Sequence, residues 1–289
     1  MFLVTGLTGN TGAAVADTLL AAGAPVRALV RDLDRAAPWA ARGVDLVRGD
    51  ATSADDLAAA MEGVSGAYVL APPAYAADDV VGAVASVGRA TREAIERARP
   101  ERLVFLSSEG AQVPVGTGVI RSLHAVEAML AGAPTRLTFL RAAYFQENWL
   151  SVLPLAAAQG ILPSMLDLAR PQRMVATADI GRVAAETLLA DAPPALIELA
   201  GPRDYAPADV AAAAARVLGR PVAPVAPPRA AWEGIFQEAG LRPGASALMA
   251  QMYDGIASGV VAMSGDVPLT RGRVSIDETL AGAAKRLAA

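Results

Sequence analysis

Among residues that could do chemistry, three glycines spaced three apart come first: Gly6, Gly9 and Gly12. They follow a short apolar, β-branched run, residues 2–5, and lead into an alanine-rich helical stretch, 13–22. A buried strand that turns through glycines into a helix is the arrangement that holds a dinucleotide pyrophosphate. The glycines permit a tight turn and close backbone approach, and the helix N-terminus supplies N–H donors and a positive dipole end. The spacing is G-x-x-G-x-x-G rather than G-x-G-x-x-G. A purely structural turn is the alternative, and the strand before and helix after it favour the phosphate cradle.

The other candidates lie at strand ends. Arg31 directly follows the second apolar strand, 26–30, and Asp32 opens the next turn. In a dinucleotide fold this position faces the adenosine ribose, where an acid on the 2′-hydroxyl selects NAD and an arginine accommodates the 2′-phosphate of NADP. Arg31 comes first, so NADP is expected; a solvated arginine is the alternative. Arg35, one helical turn on, is a second phosphate ligand or surface. Asp50 follows the third strand, 44–47, and either bonds an adenine amino group or serves the turn before the next helix, 55–61. Ala71-Pro72-Pro73 ends the fourth strand, 67–70, as a rigid wall of close approach or as a plain terminator. Ser107 ends the fifth strand, 103–107. No Gly-x-Ser-x-Gly elbow surrounds it, so a bond to a nicotinamide ribose or amide fits better than nucleophilic attack. Past Arg141, which ends the sixth strand, 137–140, residues 142–149 gather Tyr144, Phe145 and Trp149 in a chain that is only 4% aromatic. These three could line a substrate site with Pro73, or pack between lobes.

These residues need elements to position them. Helices expected at 13–22, 55–61, 79–97 and 121–131 alternate with the six strands. Strict alternation implies a parallel sheet with helices on both faces. Beyond Arg141 the rhythm breaks. A helix at 178–190, a seventh strand at 197–200 and a helix at 208–218 follow, and prolines thicken from Val222. Trp232, Phe236, Met249, Met252 and Tyr253 are spaced through short helices, and a capped helix closes the chain at 275–287. The expected architecture is α/β: a doubly wound Rossmann-type parallel sheet with a smaller, mostly helical C-terminal substrate lobe.

Composition removes several function classes. The chain has 289 residues, ample for a sizeable core, and a net charge of -4, which disfavours nucleic acid or an anionic membrane as partner. It has no cysteine, which excludes disulfides, thiol nucleophiles and thiolate metal sites. His124 is the only histidine and Lys285 the only lysine, so a two-histidine metal site and a central catalytic lysine are excluded. No metal is expected. Residues 148–166 carry no charge, but Pro154, Gln159, Gly160 and Pro163 interrupt them, which suits a soluble protein better than a span of ~20 apolar residues. No basic-flanked leader is visible, so a cytoplasmic protein is expected. A monomer and a homodimer are both compatible with the sequence.

In these residues the chain resembles the NmrA-like branch of the atypical short-chain dehydrogenases. The resemblance is carried by Thr5-Gly6-Leu7-Thr8-Gly9-Asn10-Thr11-Gly12, Val30-Arg31-Asp32, Gly49-Asp50, Leu106-Ser107-Ser108, Val126-Glu127-Ala128-Met129-Leu130, Leu140-Arg141, Glu147-Asn148, Thr177-Ala178-Asp179-Ile180 and Leu199-Ala200-Gly201-Pro202. It thins after about Val222. Within the branch the chain is most similar to bacterial NADPH-dependent quinone and triphenylmethane-dye reductases. The resemblance implies a cofactor domain from residues 1–150 with 177–200 returning to it, and a substrate lobe from 151–176 and 201–289. It implies NADP(H) lying along Gly6, Thr8, Gly9, Asn10, Thr11, Gly12, Arg31, Asp50, Ala51, Ala71, Pro72 and Ser107. The wider superfamily uses a Tyr-x-x-x-Lys pair, in which the lysine lowers the tyrosine pKa for proton donation. This chain has no lysine before Lys285 and no tyrosine between Tyr75 and Tyr144.

Two functions follow. One is an NADPH-dependent reductase that passes hydride to a conjugated, apolar small molecule (quinone, dye, ketone or imine), with the chemistry carried by the cofactor. Its candidate proton donors are Tyr144 and His124. Related reductases often place a histidine or lysine four residues before the glutamate matched by Glu127; here that residue is Leu123, and His124 is displaced by one, about 100° around a helix. The other is a non-enzymatic NADP(H) sensor, motivated by the missing Tyr/Lys pair.

Overall fold

The computed structural model describes residues 1–287. Strands β1 (Phe2–Thr5), β2 (Val26–Val30), β3 (Asp45–Arg48), β4 (Gly66–Leu70), β5 (Arg102–Ser108) and β6 (Arg136–Ala142) alternate with helices α1 (Asn10–Ala21), α2 (Leu33–Ala40), α3 (Ala54–Met61), α4 (Val80–Ala98) and α5 (Arg121–Leu130). The short strand β7 (Tyr144–Phe145), a 3₁₀ turn over Gln146–Ser151, α6 (Leu153–Gln159), β8 (Ile161–Pro163) and β9 (Met174–Val175) come next. Then come α7 (Thr177–Leu189), β10 (Leu196–Ala200), α8 (Pro207–Leu218), β11 (Ala223–Val225), α9 (Trp232–Glu238), α10 (Pro243–Ser258), β12 (Thr270–Arg271) and α11 (Ile276–Leu287). No helix among the described residues is long and apolar enough to cross a membrane.

Eight strands form one sheet in the order β12-β10-β6-β5-β4-β1-β2-β3, and every neighbouring pair is parallel. The order reverses direction between β1 and β4, and such a switch point opens a crevice at the strand carboxyl ends. Thr5 builds that crevice. Backbone pairing of β1 with β4 ends at Val4–Tyr68. The Thr5 hydroxyl then accepts the Leu70 N–H at 3.1 Å and donates to the Tyr68 carbonyl at 3.4 Å. A side chain thus replaces the next ladder bond, and the strands part without leaving a buried donor unpaired.

The pleat sends alternate side chains to opposite faces. Val4, Tyr68, Val104 and Leu140 join α1 and α7 in one core; Leu3, Val69 and Phe105 join α3, α4 and α5 in the other. Helices α1 and α7 approach closely because Gly181 has no side chain: a Cβ there would lie 2.4 Å from the Ala14 Cβ. A third core holds Trp149, Leu153, Leu162, Val210, Ile256 and Leu280. Two small parallel pairs, β8–β11 and β7–β9, also lie outside the main sheet.

The structure adds an eighth strand to the seven expected in the sheet, β12 from near the C-terminus. Its two residues are too few to show a period-two pattern. Buried acids hold this returning segment. The Asp179 carboxylate accepts the Arg273 and Val274 N–H groups, both at 2.8 Å, and Glu198 accepts those of Ser264 and Gly265. Glu147 accepts the Thr177 N–H and hydroxyl, so a residue from the 3₁₀ turn thirty positions earlier caps α7. The sequence pattern also leaves α2 unassigned, since Pro38 interrupts it. Asp32 makes that helix possible, capping it by accepting the Asp34 and Arg35 N–H groups.

Candidate active site

The glycine turn sits at the switch point, and each glycine meets a different constraint. Gly6 adopts φ +68, which side-chain-bearing residues rarely adopt, and Gly9 donates its N–H to the Gly6 carbonyl at 2.9 Å. Gly12 lies against the turn: a Cβ there would stand 2.3 Å from the Gly6 oxygen and 2.7 Å from the Thr5 oxygen. Gly9 precedes α1 with no side-chain cap, so the first-turn N–H groups of α1 face outward for a ligand. Thr8 and Asn10 are exposed beside them, and Thr11 is buried. This cradle fits a diphosphate.

At the far end of the crevice, Arg31 and Arg48 line one pocket with Asp32, Leu33 and Asp34. Arg48 pairs in register with Val30, which brings it beside Arg31. Its signal in the sequence is only a basic residue ending a strand, and tertiary pairing is what reveals it. Asp32, the acid that could read a ribose hydroxyl, spends one carboxylate oxygen capping α2. Asp50 accepts the Thr52 N–H and hydroxyl, both at 2.9 Å, and its pKa is lowered first by that backbone bond, with nearby Arg31 assisting. It therefore serves the turn before α3 and retains one carboxylate oxygen for an adenine. Ala51 adjoins it, half-buried.

Ala71, Pro72 and Pro73 leave β4 at the other side of the switch point, the prolines exposed. Ser107 is 3% exposed and donates its hydroxyl proton to Glu127 at 2.6 Å, so any bond it makes to a ligand is one it accepts. Glu127 also takes two bonds from Arg141, at 3.0 and 2.6 Å, and the guanidinium is thereby held charged above its ordinary range. The match of Ser107 with Arg141 and of Arg141 with Glu198 lays a polar row across three strands. Removing one partner from a buried pair leaves an uncompensated charge. We expect Glu127→Ala to lower unfolding free energy by about 3–5 kcal/mol in urea titration; a loss under about 1 kcal/mol would show that water replaces the carboxylate.

Aromatic side chains gather above the strand ends. Tyr144 lies 6.2 Å from Trp149 and 6.5 Å from Tyr253 between ring centres, and its hydroxyl is 3.2 Å from that of Tyr253. Trp232 meets Tyr253 edge-on at 5.9 Å, and Phe236 stacks on it at 6.0 Å. Tyr75 approaches on the loop after β4, whose backbone is bonded by the Arg242 N–H at 3.1 Å. Burial raises the pKa of Tyr75, Tyr144 and Tyr253. Trp149 is buried, its indole N–H on the Met174 sulfur, and Phe145 packs against the α1 and α7 core. His124 on α5 keeps its Nδ1 2.8 Å from the Ala111 carbonyl, which requires the proton on that nitrogen.

Glu109, just past β5, is an unanticipated member of this region. Desolvation pushes its carboxyl pKa up to about 8 against the opposing pull of Arg173 and of the Tyr144 backbone. A proton-binding difference between folded and unfolded chain makes stability depend on pH. Above the ordinary value of 4.5 and below about 8, the folded carboxyl keeps a proton that the unfolded one has lost. Its contribution to stability therefore falls as pH rises through that window. Denaturation at about pH 5 and pH 8 should show Glu109→Gln gaining on the parent at the higher pH; an equal difference at both would place the carboxyl in water.

The strand order, switch point and glycine turn define a doubly wound, Rossmann-type fold. The chain belongs to the NmrA-like family, whose model matches residues 1–255. It is 29% identical over 227 residues to an NAD(P)H azoreductase of Xenophilus azovorans, covering 78% of this chain and 77% of that one. Among solved structures it resembles an NADPH-dependent quinone oxidoreductase from Escherichia coli complexed with NADPH, at TM-score 0.80 and 23% identity over 100% of both chains. The Citrobacter sp. triphenylmethane reductase complexed with NADP(H) is similar at TM-score 0.80 and 20% identity, covering 98% of this chain and 100% of that one.

Proposed function

We propose that this protein is an NADPH-dependent reductase that passes hydride to a conjugated, apolar acceptor such as a quinone, dye, ketone or imine. The observation that carries the reading is the carboxyl edge of one sheet, where an arginine pair follows β2 and β3, the glycine turn follows β1, and an aromatic cluster gathers beyond β4 and β6. The bound nicotinamide would supply the hydride. Gly6, Thr8, Gly9, Asn10, Thr11 and Gly12 hold the pyrophosphate, and Arg31 with Arg48 holds the 2′-phosphate. Asp50 and Ala51 flank the adenine, and Ala71, Pro72 and Ser107 flank the nicotinamide end. Pro73 and Tyr144 bound the acceptor, with Trp149 supporting the Tyr144 ring, while Phe145 packs on the α1 and α7 core. Residues 1–150 and 177–200 form the cofactor side, and the rest the substrate side. Tyr144 is favoured over His124 as proton donor, because its hydroxyl stands among the aromatic rings while the imidazole proton is held by Ala111. Names of relatives that act on azo compounds, quinones and triphenylmethane dyes agree with such an acceptor. The test mixes purified protein and NADPH with quinones, ketones and cationic dyes and follows NADPH absorbance. NADPH that binds but is oxidised by none of them would sink the reductase reading in favour of a redox sensor.

A further inference from the structure

Tyr144 gives up a proton in the proposed reaction, yet no lysine precedes residue 285 to stabilise the phenolate left behind. Within hydrogen-bonding distance of its hydroxyl stands another phenol. Tyr253, 109 residues later on α10, places its hydroxyl 3.2 Å from that of Tyr144. Phe236, stacked at 11° between ring planes, and Trp232, at 72°, clamp the Tyr253 ring, so its hydroxyl has little freedom to turn away.

We infer that Tyr253 is a positioning residue that donates its O–H to Tyr144 and holds the negative charge Tyr144 acquires on protonating the acceptor. This rests on the reductase reading. The step balances simply. Hydride from the nicotinamide forms a C–H bond at a carbonyl carbon and the C=O π pair moves to oxygen. The Tyr144 O–H breaks, its proton joins that oxygen, and its electron pair stays on Tyr144 as phenolate. The carbonyl is reduced, the nicotinamide is oxidised, and solvent later returns the proton. Either hydroxyl can donate while both are protonated, but once Tyr144 has lost its proton only Tyr253 can donate across the 3.2 Å contact. Two other titratable groups lie near Tyr144: Tyr75, from the loop after β4, and Glu109, just past β5.

Two measurements test the inference. Tyr253→Phe keeps the ring that stacks on Phe236 and removes only the hydroxyl. With a difluorotyrosine at position 144, whose phenol ionises in an accessible range, fluorine NMR reads that ionisation without cofactor. The Tyr253→Phe background should raise it by about one to two pH units, the worth of a hydrogen bond to a charged group. An unchanged midpoint overturns the inference. In kinetics, a neutral carbonyl acceptor needs a proton and a cationic dye does not. Tyr253→Phe should lower kcat for the carbonyl about 10- to 100-fold more than for the dye, with little change in KM. Equal losses reveal a packing role and overturn the inference while the reductase reading stands. A parent protein that binds NADPH and reduces neither acceptor overturns the reductase reading and, with it, the catalytic role of Tyr253.

Discussion

Gly12→Ala is expected to lose NADPH binding by about a hundredfold or more, the worth of about two charge-assisted hydrogen bonds. It should also lower unfolding free energy by about 3 kcal/mol, the upper part of the usual overpacking cost. The reason is local. The new Cβ would lie 2.3 Å from the Gly6 oxygen and 2.4 Å from the Gly6 carbonyl carbon, both backbone atoms that cannot rotate aside. Helix α1 must shift away from β1, and its first-turn N–H groups move off the diphosphate. Gly9 supplies the contrast, since a Cβ there would stand 3.3 Å from the Gly6 oxygen. Gly9→Ala should therefore keep its melting temperature within a few degrees of the parent. Calorimetry and fluorescence titration with NADPH check both. Equal melting temperatures for the two variants would show that the α1 contact yields and that the clash is not what makes this position glycine.

Charge reversal at Arg31 separates the two nicotinamide cofactors. Arg31→Glu should weaken NADPH binding about a hundredfold or more and NADH binding far less, because only NADPH brings a 2′-phosphate to this pocket. Arg48→Ala should act in the same sense at about tenfold, as a hydrogen bond to a charged group predicts. Higher salt should narrow the difference, since both arginines are exposed. Isothermal titration with each cofactor measures these effects. Equal losses for NADPH and NADH in Arg31→Glu would place the 2′-phosphate elsewhere, and the cofactor preference would then need another basis.

The glycine turn and the alternation up to Arg141 are legible in the sequence because their signals are local. A strand's β-branching, a turn's need for positive φ and a helix's start are written within a dozen residues. Arg31 is readable for the same reason: it ends a strand whose place in the fold follows from its order in the chain. Arg48 is not, because only the register of β3 on β2 sets it beside Arg31. Ser107 reads along the chain as a bond to a nicotinamide ribose or amide, and only the fold shows that its proton goes to Glu127, twenty residues away on another element. Tyr253 lies in the stretch where motif similarity has thinned, and nothing in its neighbours marks it as the partner of Tyr144.

By itself the sequence determined the sheet's parallel class, the place of the glycine turn, the family, and that no lysine precedes residue 285. Tertiary structure alone decided which polar groups are already spent and which converge. Asp32 is spent capping a helix, Glu127 is spent between Ser107 and Arg141, and Tyr253 arrives beside Tyr144. Local backbone preference acts over a few residues and can be read along the chain. Hydrogen bonding and desolvation of a buried side chain depend on which distant residue stands three ångströms away, and folding makes that choice.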